Sequence, residues 1–202
     1  MSVMLDYIIA GIVFGILAMT ITRTQINLNS SLAGNTFTVI TQGNAVQMAQ
    51  QIESDFLKMG YKVKQRPIIT QADSTSIQFY AGYLDRITLE LDTPKISLSI
   101  GTTSQATVTA NPYDFPFFRQ KNTSPRVEQD VGMTYFYLRY YDSLDHKIST
   151  PITTTTALNN IRSIFVQFSV QSPSPVISSY DTTWSAVNWQ KLIYPRNLGR
   201  KY

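Results

Sequence analysis

From Tyr7 to Ile21 the chain reads YIIAGIVFGILAMTI, with no charge and no proline. A helix that is apolar on every side needs lipid or other helices around it. Extended back to Met4, the run reaches about the length that crosses a bilayer core of ~30 Å, with Asp6 inside it. Three readings meet this pattern: a secretory signal peptide, a plain transmembrane anchor, and a helix that sits in the membrane first and packs among like helices afterwards. A signal peptide fits poorly. The flank before the run holds Asp6 and no Lys or Arg, and nothing resembling Ala-x-Ala precedes Arg23. The side chains an assembly would use are Tyr7, Ile8, Ile9, Ile12, Val13, Phe14, Ile16 and Leu17.

Asp6 favours the packing helix. A carboxylate at the edge of an apolar run costs several kcal/mol if buried alone, so it needs a partner. A local role is also open: an acid near a helix N-terminus is favoured by the macrodipole.

After Arg23 the sequence turns polar but stays compatible with a helix. Ala45, Met48, Ala49, Ile52, Phe56 and Met59 recur at helical spacing and predict one buried face. Gly60 stands where a C′ glycine would end the helix. A continuous helix to Met59 would be about 85–90 Å long. Gly34, Gly43 and the β-branched Thr36–Thr41 stretch predict a break or bend in its middle. Leu28, Leu32, Phe37 and Ile40 are expected to pack the helix on its own head and on neighbours.

Beyond Gly60 the period changes from 3.6 to 2. Strands are predicted at Ser76–Tyr80, Arg86–Asp92, Lys95–Ile100, Gln105–Ala110, Gly132–Tyr141 and Ile161–Val170. In the run TYFYLRYY, Tyr135, Tyr137, Arg139 and Tyr141 share one face, and Phe136, Leu138 and Tyr140 the other. Asn111–Arg126 and Ser172–Trp184 are proline-bearing and predict long loops. The expected fold class is α+β: a long N-terminal helix, apolar then amphipathic, packed on an antiparallel β-sheet head. The helix occupies residues 1–60 and the head 61–202.

Catalytic patterns are sparse. Cysteine is absent and His146 is the single histidine, which removes thiol chemistry and multi-histidine metal sites. No Walker A, G-x-G-x-x-G or G-x-S-x-G string occurs. Asp142, Asp145 and His146 read as a polar turn rather than a cation site. Thr153–Thr156 reads as strand edge or loop, with glycosylation the alternative; Asn29 and Asn122 match N-x-[ST]. Net charge is +4 with no block of like charges, so a dedicated nucleic-acid binder is not indicated. The Tyr face still allows stacking with bases or sugars, with Arg119, Lys121, Arg126, Arg196, Arg200 and Lys201 as possible phosphate contacts. No enzyme, cofactor or metal is expected.

The order of parts resembles a known family. The segment AVQMAQQIESDFLKMGYKV is similar to the end of the long helix in minor type IV pilins and pseudopilins. ADSTSIQFYAGYLDRITLEL resembles their first head strands, VGMTYFYLRYYDSLDHKISTP and ALNNIRSIFVQFSVQSPSP their later ones, and LIYPRNLG their close. The resemblance implies a pilin-like, ladle-shaped subunit that sits in the inner membrane before assembly and then in an extracellular filament on the cell surface. Its partners would be copies of itself and the pilus assembly machinery. In that family the acid is the fifth mature residue and pairs with a neighbour's N-terminal amine. Asp6 becomes fifth once Met1 is removed, although the family prefers Glu there. Two alternatives remain: a minor pilin or pseudopilin that primes or tips a pilus or type II secretion pseudopilus, and a membrane-anchored domain that binds glycan or nucleic acid.

Overall fold

The computed structural model describes residues 2–84, 91–101, 114–122, 124–177 and 182–198. The predicted strand Gln105–Ala110 and most of Arg86–Asp92 lie outside them, as do Arg200 and Lys201. One helix, α1, runs from Ser2 to Lys58. At 1.5 Å per residue its 57 residues span about 86 Å.

The predicted break is absent, for α1 stays helical through Gly34 and Gly43. Two interior glycines cost about 1 kcal/mol each, which the long run of hydrogen-bonded turns around them absorbs. The threonines fit because their hydroxyls turn back on the helix. Thr36 donates to the Leu32 carbonyl, Thr38 to Gly34 and Thr41 to Phe37, at 2.7–2.9 Å. The helix ends where expected. Gly60 adopts φ +71° and its N–H donates to the Tyr80 carbonyl. A Cβ there would lie 3.0 Å from Ile68 Cδ1 and 3.2 Å from Asn197 Cβ, so glycine is required twice over.

The strands follow in chain order: β1 (Ile69–Ala72), β2 (Ser76–Tyr80), β3 (Tyr83–Leu84), β4 (Leu91–Asp92), β5 (Lys95–Ile100), β6 (Phe117–Lys121), β7 (Val127–Gln129), β8 (Met133–Tyr141) and β9 (Lys147–Ile148). A short helix α2 (Thr155–Asn160) precedes β10 (Ser163–Gln171), β11 (Val176–Ile177), β12 (Thr182–Thr183) and β13 (Ala186–Ile193). They form two main antiparallel sheets, ordered β1-β2-β5-β6-β7 and β13-β10-β8-β9. The sheets are tied where the Leu138 N–H donates to the Ser74 carbonyl and Ile152 bridges Ala72.

Four expectations need correction. Phe117–Lys121 is a strand inside the predicted loop 111–126: Phe117 is fully buried and the segment pairs with β5 on one side and β7 on the other. The predicted loop Ser172–Trp184 contains the paired β11 and β12. Thr153–Thr156, expected as strand edge or loop, is loop only through Thr154 and then opens α2: the Thr154 hydroxyl caps the Ala157 N–H. Leu28 and Leu32 stay exposed, whereas Phe37 is half-buried and Ser185 of the head donates to the Thr38 hydroxyl.

The seam between α1 and the head carries the core. Ala45, Met48, Ala49, Ile52, Phe56 and Met59 are all buried. Phe56 meets Phe79 of β2 edge to face at 5.5 Å. Among these apolar side chains sits Asp55, only 3% exposed. Arg119 of β6 grips it with two bonds, Nε to Oδ2 at 2.7 Å and Nη2 to Oδ1 at 2.9 Å, and the Tyr83 hydroxyl donates to the same carboxylate. The carboxylate bonds hold the Arg119 guanidinium firmly protonated. Burial, reinforced by Asp55, pushes the Tyr83 phenol well above its ordinary range. Burial does the same to Tyr140, whose hydroxyl donates to the Asp73 carbonyl.

Three outcomes are expected. Arg119→Met, which strands the Asp55 carboxylate, should cost the head about 3–5 kcal/mol in denaturant unfolding. A chain beginning at Gln25 should melt within a few degrees of the full chain, because residues 3–24 are exposed, whereas one beginning at Gln50 should lose about 4 kcal/mol or more with Ala45, Met48 and Ala49. Raised phenol values stabilise the protonated fold. That stability is complete below the free tyrosine value of about 10 and fades as pH rises through the folded values. In an alkaline titration read by phenolate absorbance, Tyr83 and Tyr140 should ionise only above the free tyrosine value of about 10, and the fold should loosen as they do.

Candidate assembly surface on the long helix

Residues 3–29 of α1 are exposed, covered by none of the described residues of the head. Thirteen large apolar side chains from Val3 to Ile21 are each more than half exposed. They include Tyr7, Ile8, Ile9, Ile12, Val13, Phe14, Ile16 and Leu17. The helix holds a segment long and apolar enough to cross a membrane, none of it buried within the molecule. At about 1.5–3 kcal/mol for each side chain moved out of water, removing this surface from solvent is worth roughly 20 kcal/mol or more. Soluble monomers rarely expose apolar patches beyond a few hundred Å².

Polar atoms in this half are already satisfied inside the helix. The hydroxyls of Thr20, Thr22 and Thr24 donate to the carbonyls of Ile16, Ala18 and Thr20 at 2.8–2.9 Å. Such threonines enter an apolar environment without an orphaned hydroxyl.

Asp6 is exposed in the isolated chain. It lies beyond the first turn of α1, which holds no acid. The macrodipole effect falls off within that turn, so helix capping gives Asp6 little reason to be there.

Glycine supplies a signal that the periodicity reading passed over. Gly11 and Gly15 form a G-x-x-x-G pair, and a Cβ on either would meet nothing within 4 Å. Nothing in the chain itself asks for glycine at either place. Gly11, Gly15, Ala18 and Thr22 fall at i, i+4, i+7 and i+11, a ridge of small residues on one side of α1. In apolar helices such ridges let two backbones approach closely.

The head offers little that resembles a catalytic site. Asp142 closes a turn, accepting the Leu144 and His146 N–H groups, and those bonds hold its carboxyl below the usual range. No group of three or more His, Asp or Glu side chains suited to a metal occurs among the described residues. The proposed phosphate contacts do not converge. Arg119 is committed to Asp55, Lys121 pairs with Asp92 at 2.8 Å, and Arg126 lies over the Phe118 ring at 3.3 Å. Arg196 is exposed on its own. On β8, Tyr135 and Tyr137 face outward, 6.2 Å apart with nearly parallel rings, while Phe136, Leu138 and Tyr140 fill the core.

Compared with known proteins, the chain matches no family model, no curated protein and no solved structure.

Gly11→Leu combined with Gly15→Leu should leave membrane insertion intact, since both changes add apolar surface. Cross-linking of copies through single cysteines placed along the small-residue ridge should fall sharply, and unchanged cross-linking would remove the ridge from the contact.

Proposed function

We propose that this chain is a structural subunit of an extracellular filament of the type IV pilus kind, polymerising through α1. One observation carries the reading. A single rigid helix has its far half locked into a head by the Asp55–Arg119 clamp, while its near half presents apolar surface on every side. Lipid satisfies that half before assembly, and parallel copies of the same helix satisfy it afterwards. Asp6, at the edge of the apolar half and exposed in the single chain, has a use only if a neighbour supplies a cation. An N-terminal amine of the next copy, offset along the fibre, has the required charge. Such a pair would set register between subunits more than it would add stability.

A membrane-anchored binding domain is the second reading, favoured by the outward aromatic face of β8. The two differ in what the apolar half must do. An anchor tolerates scrambling of Tyr7–Ile21 at constant hydrophobicity, whereas a fibre core requires particular side chains to interlock.

Material sheared from expressing cells, viewed by negative-stain electron microscopy and weighed by mass spectrometry, tests the proposal. Thin fibres dominated by this chain are expected. Asp6→Leu and the scrambled helix should both abolish fibres and leave a head with unchanged melting. Normal fibres from either variant would sink the role given to that element.

A further inference from the structure

Arg139 stands apart from the other described head arginines whose contacts are known. Arg119 holds a carboxylate, Arg126 donates to the Ser99 hydroxyl, and Arg162 donates to the carbonyls of Asn159 and Ile161. Arg139 sits half-buried between two rings. Its guanidinium carbon is 5.2 Å from the Tyr137 ring centre and 5.4 Å from that of Phe165. It takes part in no ion pair among the described residues. Its Nε is shut off from water and has no acceptor. Ring faces attract a cation, but they supply no acceptor in the plane of the guanidinium, where its terminal N–H donors point.

The surroundings say what is missing. Strand register places Tyr137 beside Gln167, and Gln167 beside Gln190 on β13; one row along, Arg139 lies beside Phe165. Tyr135 extends the aromatic edge beyond Tyr137. This is the outward face of the β13-β10-β8 sheet, and its inward residues Phe136, Leu138, Val166 and Phe168 belong to the core. None of the outward residues on these three strands is acidic. The face therefore has a cation without an anion, aromatic rings beside it, and side-chain amides within a strand spacing.

We propose that this face is a binding site for an acidic glycan, a chain of pyranoses that carry carboxylates. A carboxylate meets the two terminal nitrogens of the guanidinium, which unlike Nε remain open to solvent, as a forked pair. The tyrosine rings lie along the apolar faces of the sugars, and Gln167 and Gln190 exchange hydrogen bonds with hydroxyls. Single-stranded nucleic acid would also stack on tyrosine, but a groove that tracks phosphates uses a series of cations, and the outward rows of these strands hold only Arg139. The site stands whether the chain polymerises or acts as an anchored domain, because it uses the side of the sheet turned away from α1. In a fibre, repetition along the surface would add avidity to weak individual contacts.

The test uses the full chain in detergent micelles and isothermal titration with three probes: hexagalacturonate, maltohexaose and a ten-residue oligo(dT). Hexagalacturonate should bind, and maltohexaose about tenfold more weakly. Arg139→Lys keeps the charge and removes the fork, and should weaken hexagalacturonate about tenfold with unchanged melting. Gln167→Ala, which leaves the aromatic contacts in place, should weaken it about threefold and serves if Arg139→Lys fails to fold. Absence of hexagalacturonate binding would overturn the proposal. So would equal binding of maltohexaose, or indifference to Arg139→Lys in a folded variant, or to Gln167→Ala if that variant fails to fold. Tighter binding of oligo(dT) that hexagalacturonate cannot displace would reassign the face to nucleic acid.

Discussion

Apolar surface that its own chain cannot cover governs this molecule. From Val3 to Ile21, α1 carries large hydrophobic side chains around its whole circumference, while the head is hydrogen-bonded to α1 at Thr38, well beyond that run. The gap between the two is set by a rigid rise of 1.5 Å per residue, so the head cannot fold back onto the run. Whatever surrounds the first half of the helix must come from outside the chain. Lipid and neighbouring helices are the two media that suit it, and the threonine hydroxyls bonded to carbonyls four residues back are compatible with both.

The second half of α1 solves the opposite problem. It must hold a head at a fixed angle and height, and apolar packing alone allows a helix to slide or rotate by small amounts. The Asp55 carboxylate, forked by Arg119 and touched by Tyr83, removes that freedom. A buried ion pair adds little net stability compared with an apolar pair of the same shape, because desolvation offsets attraction. Its value is directional: two bonds in one plane fix the rotation of α1 against β6. Gly60 completes the lock, since only a residue without Cβ lets the chain turn off the helix between Ile68 and Asn197.

With α1 fixed on the inner side, the β13-β10-β8 sheet has one face in the core and one face free. The core face is saturated, with Phe168 stacked on Trp189 at 5.0 Å and Phe117 against Phe136 at 5.4 Å. The outward face keeps Arg139 between rings with no anion paired to it among the described residues. The proposed assembly helix and the proposed binding face thus lie on opposite sides of one scaffold.

Elements with a clean period were legible from residue order. The apolar run, the Ala45–Met59 stripe, the Gly60 stop, and the strands Ser76–Tyr80, Lys95–Ile100 and Met133–Tyr141 each repeat the signal of their burial several times over. Where burial is partial the signal thins. β13 is an edge strand with only Ile193 buried, and β6 buries only Phe117, so neither alternates clearly. The unbroken middle of α1 defied its glycines because a helix already propagating on both sides outweighs a local penalty of about 1 kcal/mol. Asp55, Arg119 and Tyr83 are separated by 28 to 64 positions, and no spacing rule joins them. Order along the chain decided which segments are helix, which faces are apolar and that the N-terminal run needs other molecules around it. Only the tertiary structure decided which charges meet and which cation is left over, because those depend on strands that pair far apart in sequence.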